Sequence, residues 1–152
     1  AVELAGDFSE ESGEAAGEAI ARLAPRPTAV FAANDSMAIG VLGALRRAGL
    51  EIPDDVAVAG FDDIPVARFA GPPLSTVRHD IRRLGERAFA RLLSALEGEA
   101  PSPAAREVFP FRLVLRESTG GERDPGIPEP PEATSRRSSR STRSLARRRK
   151  GT

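Results

Sequence analysis

The sequence predicts an α/β fold built on a parallel sheet, and three features of residues 27–63 support that prediction. Two short runs, residues 28–33 and 56–60, have the length and β-branched content of strands. Both runs are continuously apolar, so we expect both faces of each strand to be buried, as in parallel sheets. Between them lies one apolar helix face, formed at helical spacing by Met37, Val41, Leu45 and Ala48.

Residues that favour helix ends mark both limits of this helix. Asn34, Asp35 and Ser36 are good N-caps, because their side-chain oxygens accept hydrogen bonds from the free N–H groups of a first turn. Gly49 stands where a glycine commonly ends a helix, and Pro53 follows it. The stretch is therefore predicted as strand, helix, strand.

Polar residues follow both predicted strands. Asn34 and Asp35 follow the first, and Asp62 and Asp63 follow the second. Because ligands of such sheets bind outside the carboxyl ends of the strands, we expect a ligand site at this rim. Two simpler interpretations stay open. Asn34 or Asp35 can serve only as a helix cap, and the aspartate pair can serve only to form a turn.

The segment before this unit predicts a strand end at residues 2–5 and then a helix after the motif GDFSEESG. Ser9 or Ser12 can cap that helix, and the neighbouring glutamates favour its positive N-terminal end. We expect the inner face of the helix to consist of Ala15, Ala16, Ala19, Ile20 and Leu23.

Beyond the central unit, residues 64–73 predict a short helical turn, and residues 74–78 predict a strand. Asp80 is expected to cap a long helix that Gly98 ends. Residues 107–116 predict a final extended segment that a proline interrupts. The apolar face of the long helix is formed by Ile81, Leu84, Ala88, Leu92 and Ala95.

The net charge of zero conceals two oppositely charged parts. Residues 1–133 carry 22 acidic and 14 basic side chains, whereas residues 134–152 carry 8 basic side chains and no acidic one. The acidic charge of residues 1–133 argues against nucleic-acid binding by the folded part. Residues 120–152 are rich in Pro, Ser and Arg, which predicts a disordered tail. This tail is either a solvated end or a weak, salt-sensitive phosphate binder.

The motifs of several enzyme classes are absent from the sequence. A phosphate-binding loop needs glycines between strand and helix, and AAND has none. A phospho-accepting receiver could use Asp62, but the only lysine is Lys150 in the tail. No nucleophile elbow occurs, and one histidine without cysteine leaves no metal cluster. We therefore expect no enzyme, no cofactor and no metal, and no apolar run approaches the length of a membrane span.

Several motifs together carry a family resemblance. The chain contains FAANDSMAIGVLGALRRAGLEIPDDVAVAGFDD, then PPLSTVRHD, with GDFSEESG before them and LVLREST after them. In this order and spacing they resemble the effector-binding half of LacI/GalR-type transcription regulators. The resemblance implies a periplasmic-binding-protein-like type I fold, represented mainly by its C-terminal subdomain. It extends over about residues 2–119, so we expect a partial effector-binding and dimerisation domain at 1–119 and the tail at 120–152.

The resemblance also implies what is missing. Family members place a DNA-binding helix-turn-helix and much of a second subdomain before this point, so we expect a truncated chain. The long helix after Asp80 packs on that second subdomain in the family. We therefore expect the chain to expose apolar surface and, with one wall of its cleft absent, to bind no effector at useful affinity by itself.

The function implied by the resemblance is sensing of a small-molecule effector, often a sugar, in a cytoplasmic regulator. The expected effector contacts are Phe8, Asn34, Asp62 and His79, although the family often has Gln where His79 stands. Phe8 and His79 can also be plain surface residues. A homodimer is expected through Ile39 and Phe69, and operator DNA would bind only through the missing N-terminal domain. The alternative is a periplasmic solute-binding protein of a transport system.

Overall fold

The computed structural model describes residues 1–98 and 106–121, and the predicted disorder of the tail lies almost wholly outside them. The elements follow the predicted order. They are α1 (Glu10–Ala21), β1 (Ala29–Phe31), α2 (Asp35–Arg47), β2 (Ala57–Ala59), a 3-10 turn (Pro65–Phe69), β3 (Thr76–His79), α3 (Ile81–Leu96), β4 (Phe111–Val114) and a second 3-10 turn (Glu117–Thr119).

The strands confirm the predicted parallel sheet. β1 and β2 are parallel, with Val30 opposite Val58. A parallel bridge between Ala59 and Ser75 sets β3 in the same direction beside β2. β3 then pairs with β4 in antiparallel register, with Thr76 opposite Val114. β1, β2 and β3 therefore direct their carboxyl ends to one edge.

Two expectations about strands were wrong. Phe31 in β1 is 66% exposed, so this strand is not buried on both faces. β1 pairs only with β2 among the described residues, and nothing in them covers Phe31. Residues 2–5 form no strand and are exposed, because no described strand pairs with them.

The three predicted N-caps are confirmed. Ser9 caps α1, Asn34 caps α2 and Asp80 caps α3, each by accepting a hydrogen bond from a backbone N–H of the first turn. Gly49 and Gly98 follow α2 and α3 with φ angles of +76° and +86°, which glycine adopts without a steric cost. Local sequence signals thus set the helix limits.

The inner face of α1 differs from the alanine face that we expected. Gly13 and Gly17 are buried with Ile20, whereas Ala15 is exposed. These glycines let α1 approach the backbone of α2, and a Cβ built on Gly13 would lie 2.1 Å from the Met37 carbonyl oxygen. The core lies between α2 and the strands and contains Val41, Leu42, Leu45, Val56, Val58 and Leu74, among others.

α3 stands apart from this core. None of its residues is buried, and Phe89, Leu92 and Leu96 are more than half exposed. β4 adds Phe111 and Leu113, also exposed. The expected exposure of apolar surface is confirmed. Within residues 1–98 and 106–121, no helix has both the length and the apolar character needed to cross a bilayer.

Candidate functional site

Three polar side chains lie where three parallel strands end. Asn34 follows β1, Asp62 follows β2, and His79 is the last residue of β3. Two backbone hydrogen bonds join the connecting loops: Asp35 N donates to Phe61 O at 2.9 Å, and Asp62 N donates to Val77 O at 2.9 Å. The rim that the sequence predicts is therefore formed by neighbouring segments of chain.

Asn34 uses both ends of its amide within the protein. Its Oδ1 accepts from Met37 N at 2.8 Å, which is the helix cap, and its Nδ2 donates to the Phe8 carbonyl oxygen at 2.9 Å. An amide has a second N–H and a second oxygen lone pair, so capacity for a ligand remains. Phe8 is held beside the rim with a φ of 69° and is 64% exposed.

Asp62 and His79 form a second pair. The Nε2 atom of His79 lies 3.1 Å from Oδ1 of Asp62, and the His79 ring lies against Phe61 with centroids 5.3 Å apart. Asp62 has a φ of 108°, which is rare for a residue with a side chain. The backbone of Asp62 therefore fits the predicted turn, while its side chain points to β3.

Asp63 has a structural role. Its carboxylate accepts from Arg116 Nη2 at 2.8 Å and forms an ion pair with Arg78. The side chains of Asp63 and Arg116 are 6% and 7% exposed, and Arg116 Nη1 also donates to Leu74 O at 2.8 Å. Because both charges are paired and hydrogen-bonded, they are tolerated away from water. This cluster joins the segments that flank β3 and β4.

Asp35 does not belong to the rim. The residue is fully buried, its Oδ1 accepts from Thr76 Oγ1 at 2.5 Å, and its Oδ2 accepts from Ile64 N at 2.9 Å. Burial in this low-dielectric environment raises the pKa of the Asp35 carboxyl, an effect larger than that of the hydrogen bonds that lower it. Of the three predicted capping residues, only Asn34 is the N-cap of α2, and Asp35 anchors the loop after β2.

Polar residues that hold β3 and the end of β4 in place were not predicted from the sequence. Ser118 Oγ donates to Val58 O at 2.6 Å and accepts from Ser75 N at 2.8 Å. Ser75 Oγ donates to Arg116 O at 3.0 Å. These residues lie within the motifs PPLSTVRHD and LVLREST, but a single polar residue beside a short strand gives no signal of its partner.

The two expected interface residues differ in exposure. Phe69, at the end of the 3-10 turn, is 76% exposed, and the Arg68 guanidinium lies 5.2 Å from its ring centroid. Ile39 is partly buried and packs against the core. Phe69 is thus free to meet a partner, whereas Ile39 already has internal contacts.

Most of this chain is similar to one domain family and to known transcriptional repressors. A model of the periplasmic binding protein-like domain matches residues 2–119. The chain is 38% identical to the HTH-type transcriptional repressor PurR of Vibrio vulnificus over 115 residues, which covers 76% of this chain and 34% of that protein. The corresponding repressor of Yersinia pestis is 42% identical over 113 residues, covering 74% of this chain and 33% of that protein.

Solved structures give the same result. A LacI family transcriptional regulator from Lactobacillus casei with bound sucrose matches with a TM-score of 0.60 at 37% identity, over 73% of this chain and 41% of that chain. A complex of the regulator CelR with cellobiose matches with a TM-score of 0.69 at 40% identity. The match covers 74% of this chain and 34% of that chain. The chain spans about a third of the length of the curated relatives that it matches.

Proposed function

This chain belongs to the periplasmic-binding-protein-like effector-binding regions of LacI/GalR-type transcription regulators, and we propose that its rim forms one wall of a small-molecule site. The observation that carries the proposal is the convergence of Asn34, Asp62 and His79 at the carboxyl ends of three parallel strands. Ligands of open α/β sheets bind at such an edge.

The chemistry of the rim suits a ligand rich in hydroxyl groups. The Asn34 amide can donate and accept, the Asp62 carboxylate accepts, and the exposed ring of Phe8 offers an apolar face. Structures similar to this chain contain sucrose, glucose or cellobiose. We therefore propose a sugar or a similarly polar small molecule as the effector.

The proposed mechanism is a population shift. An effector that contacts both walls of a cleft favours one relative orientation of two subdomains and thereby changes affinity for operator DNA. The residues described in this chain would supply one wall. The apolar face of α3, which no described segment buries, supports a second packed unit beside it. A transport role is less well supported, because the curated relatives reported above are transcriptional repressors.

We expect Asp62→Ala to weaken sugar binding about tenfold or more, because it removes a charged hydrogen-bond acceptor. The measurement is calorimetry with sucrose, glucose and cellobiose on the protein encoded by the complete reading frame that contains this sequence. Asp54→Ala is the matched control. Asp54 is exposed, and it precedes β2 and so lies at the opposite end of that strand from the rim.

Each outcome of that titration decides something. Loss of binding in Asp62→Ala with unchanged binding in Asp54→Ala supports the rim as the effector site. Equal affinities for wild type and Asp62→Ala would remove Asp62 from the site. Failure of all three sugars to bind the wild type would overturn a sugar effector.

We further propose homodimerisation through Phe69. Replacing it with Glu in the same full-length protein should give monomers in analytical ultracentrifugation, because a buried unpaired charge opposes association. Phe69→Leu keeps an apolar side chain and should stay dimeric. A dimer that persists in Phe69→Glu would exclude Phe69 from the interface. Ile39 is the second proposed interface residue, but its core contacts make it a poorer probe.

A further inference from the structure

We propose that His79 is a positioning residue that influences the effector through Asp62 and does not contact the effector itself. This inference rests on the proposed function, because it assumes that Asp62 meets the effector. It starts from the hydrogen bond of 3.1 Å between His79 Nε2 and Asp62 Oδ1. An ionised carboxylate only accepts, so Nε2 carries the hydrogen of this bond.

The His79 side chain is more buried than the Asp62 side chain, as expected if His79 supports Asp62. The His79 side chain is 19% exposed, whereas the Asp62 side chain is 36% exposed. The imidazole lies against Phe61 at a ring angle of 32°, and its Nε2 edge meets the carboxylate. Asp62 is thus the more accessible member of the pair, and His79 lies behind it.

β3 holds Asp62 at two points. The Asp62 N–H donates to Val77 O at 2.9 Å, and the Asp62 carboxylate binds His79 two residues further along the same strand. β3 is itself held by β4, with His79 opposite Phe111. A loop residue with a φ of 108° is thereby fixed by a strand, and functional groups are held most precisely by such regular elements.

The consequence for binding concerns the orientation of the carboxylate. The hydrogen bond from His79 to Oδ1 restricts rotation of the carboxylate, and Oδ2 has no hydrogen bond within the described residues and is left for a ligand donor. Without His79, the side chain would have to be ordered at the moment of binding, which weakens affinity. His79→Leu removes the donor, whereas His79→Gln keeps an N–H donor on a flexible side chain.

The hydrogen bond itself can be tested without any ligand. His79 is the only histidine of the chain, so its imidazole nitrogens give unambiguous signals in long-range proton–nitrogen NMR spectra. We expect the Nε2–H form of the ring in the 152-residue chain and a changed tautomer balance in Asp62→Ala. Asp54→Ala should leave the signals unchanged. Identical imidazole signals in wild type and Asp62→Ala would overturn the contact on which the proposal depends.

The indirect role is tested by a double-mutant cycle in the full-length protein. We expect His79→Leu to weaken the binding of whichever test sugar binds by about tenfold, and His79→Gln to restore most of that loss. In the Asp62→Ala background, His79→Leu should change the affinity less than about twofold, because its partner is already gone.

Two results of the cycle separate this inference from the proposed function. If Asp62→Ala weakens binding but the effects of the two substitutions simply add, His79 contacts the effector directly and the positioning role is wrong. If Asp62→Ala has no effect on a sugar that binds, the proposed site is wrong, and the positioning role falls with it.

Discussion

Gly40→Ala is expected to destabilise the protein by about 1–3 kcal/mol, although alanine is the better helix former. A Cβ on Gly40 in α2 would lie 2.1 Å from the Glu10 carbonyl oxygen and 2.7 Å from Glu14 N. Both atoms belong to the backbone of α1 and cannot rotate away as a side chain would. The two helices would have to separate, which would loosen the packing of α1 on α2.

Gly43→Ala is the matched control in the same helix. Its Cβ would meet only the end of the flexible Arg47 side chain, at 3.4 Å. We therefore expect this substitution to stabilise the protein by up to about 1 kcal/mol through helix propensity alone. Urea denaturation followed by circular dichroism measures both changes. Stabilisation by both substitutions would show that α1 and α2 do not pack backbone to backbone.

The glycine contact also shows where hydrophobic periodicity fails as a predictor. The pattern ranks Ala15 and Ala16 above Gly13 and Gly17 for the inner face of α1, because alanine is the more apolar residue. The observed face is set by the distance to α2, which only glycine permits here. That distance is a property of two elements together, and no window of one helix contains it.

Features that depend on only a few neighbouring residues were predicted correctly from the sequence. The caps Ser9, Asn34 and Asp80 and the terminating glycines act within one helical turn, and all are observed. The burial of β1 depends on distant segments instead. Its apolar sequence is typical of a strand covered on both faces, yet Phe31 is exposed because nothing in the described residues covers it.

The candidate site was likewise predicted in part. The topological rule placed Asn34 and Asp62 at one edge, since that needs only strand direction and order, whereas His79 was expected only from the family resemblance. It could not tell that Asp35 turns inward while Asn34 caps the helix, because both residue types suit both roles. The choice depends on Thr76, which is far away in sequence and donates to the buried Asp35 carboxylate.

The buried Asp35 carboxyl leads to a prediction about stability and pH. Asp35→Ala is expected to cost about 2–4 kcal/mol, because it leaves the Thr76 hydroxyl and the Ile64 N–H without their acceptor. Asp35→Asn keeps one side-chain oxygen that can accept a hydrogen bond from Thr76 or Ile64, and it replaces the other oxygen with a polar NH₂ group. It should therefore be the milder change. The pH dependence of wild type and Asp35→Asn then isolates the charge of the carboxylate.

Burial raises the pKa of Asp35 in the folded chain above that of the unfolded chain, which is about 3.9. Between these two values the folded chain binds more protons, so this group's contribution to stability is present below the unfolded value and is lost as pH rises through the folded one. We therefore expect the unfolding free energy of wild type relative to Asp35→Asn to fall as pH rises from about 4 and then to level off. Urea denaturation of both proteins across this range is the measurement. A difference that rises with pH would mean that hydrogen bonds from Thr76 and Ile64 outweigh desolvation, and that the Asp35 carboxylate stabilises the fold as an anion. A constant difference would mean that the two effects balance, which would also contradict the prediction.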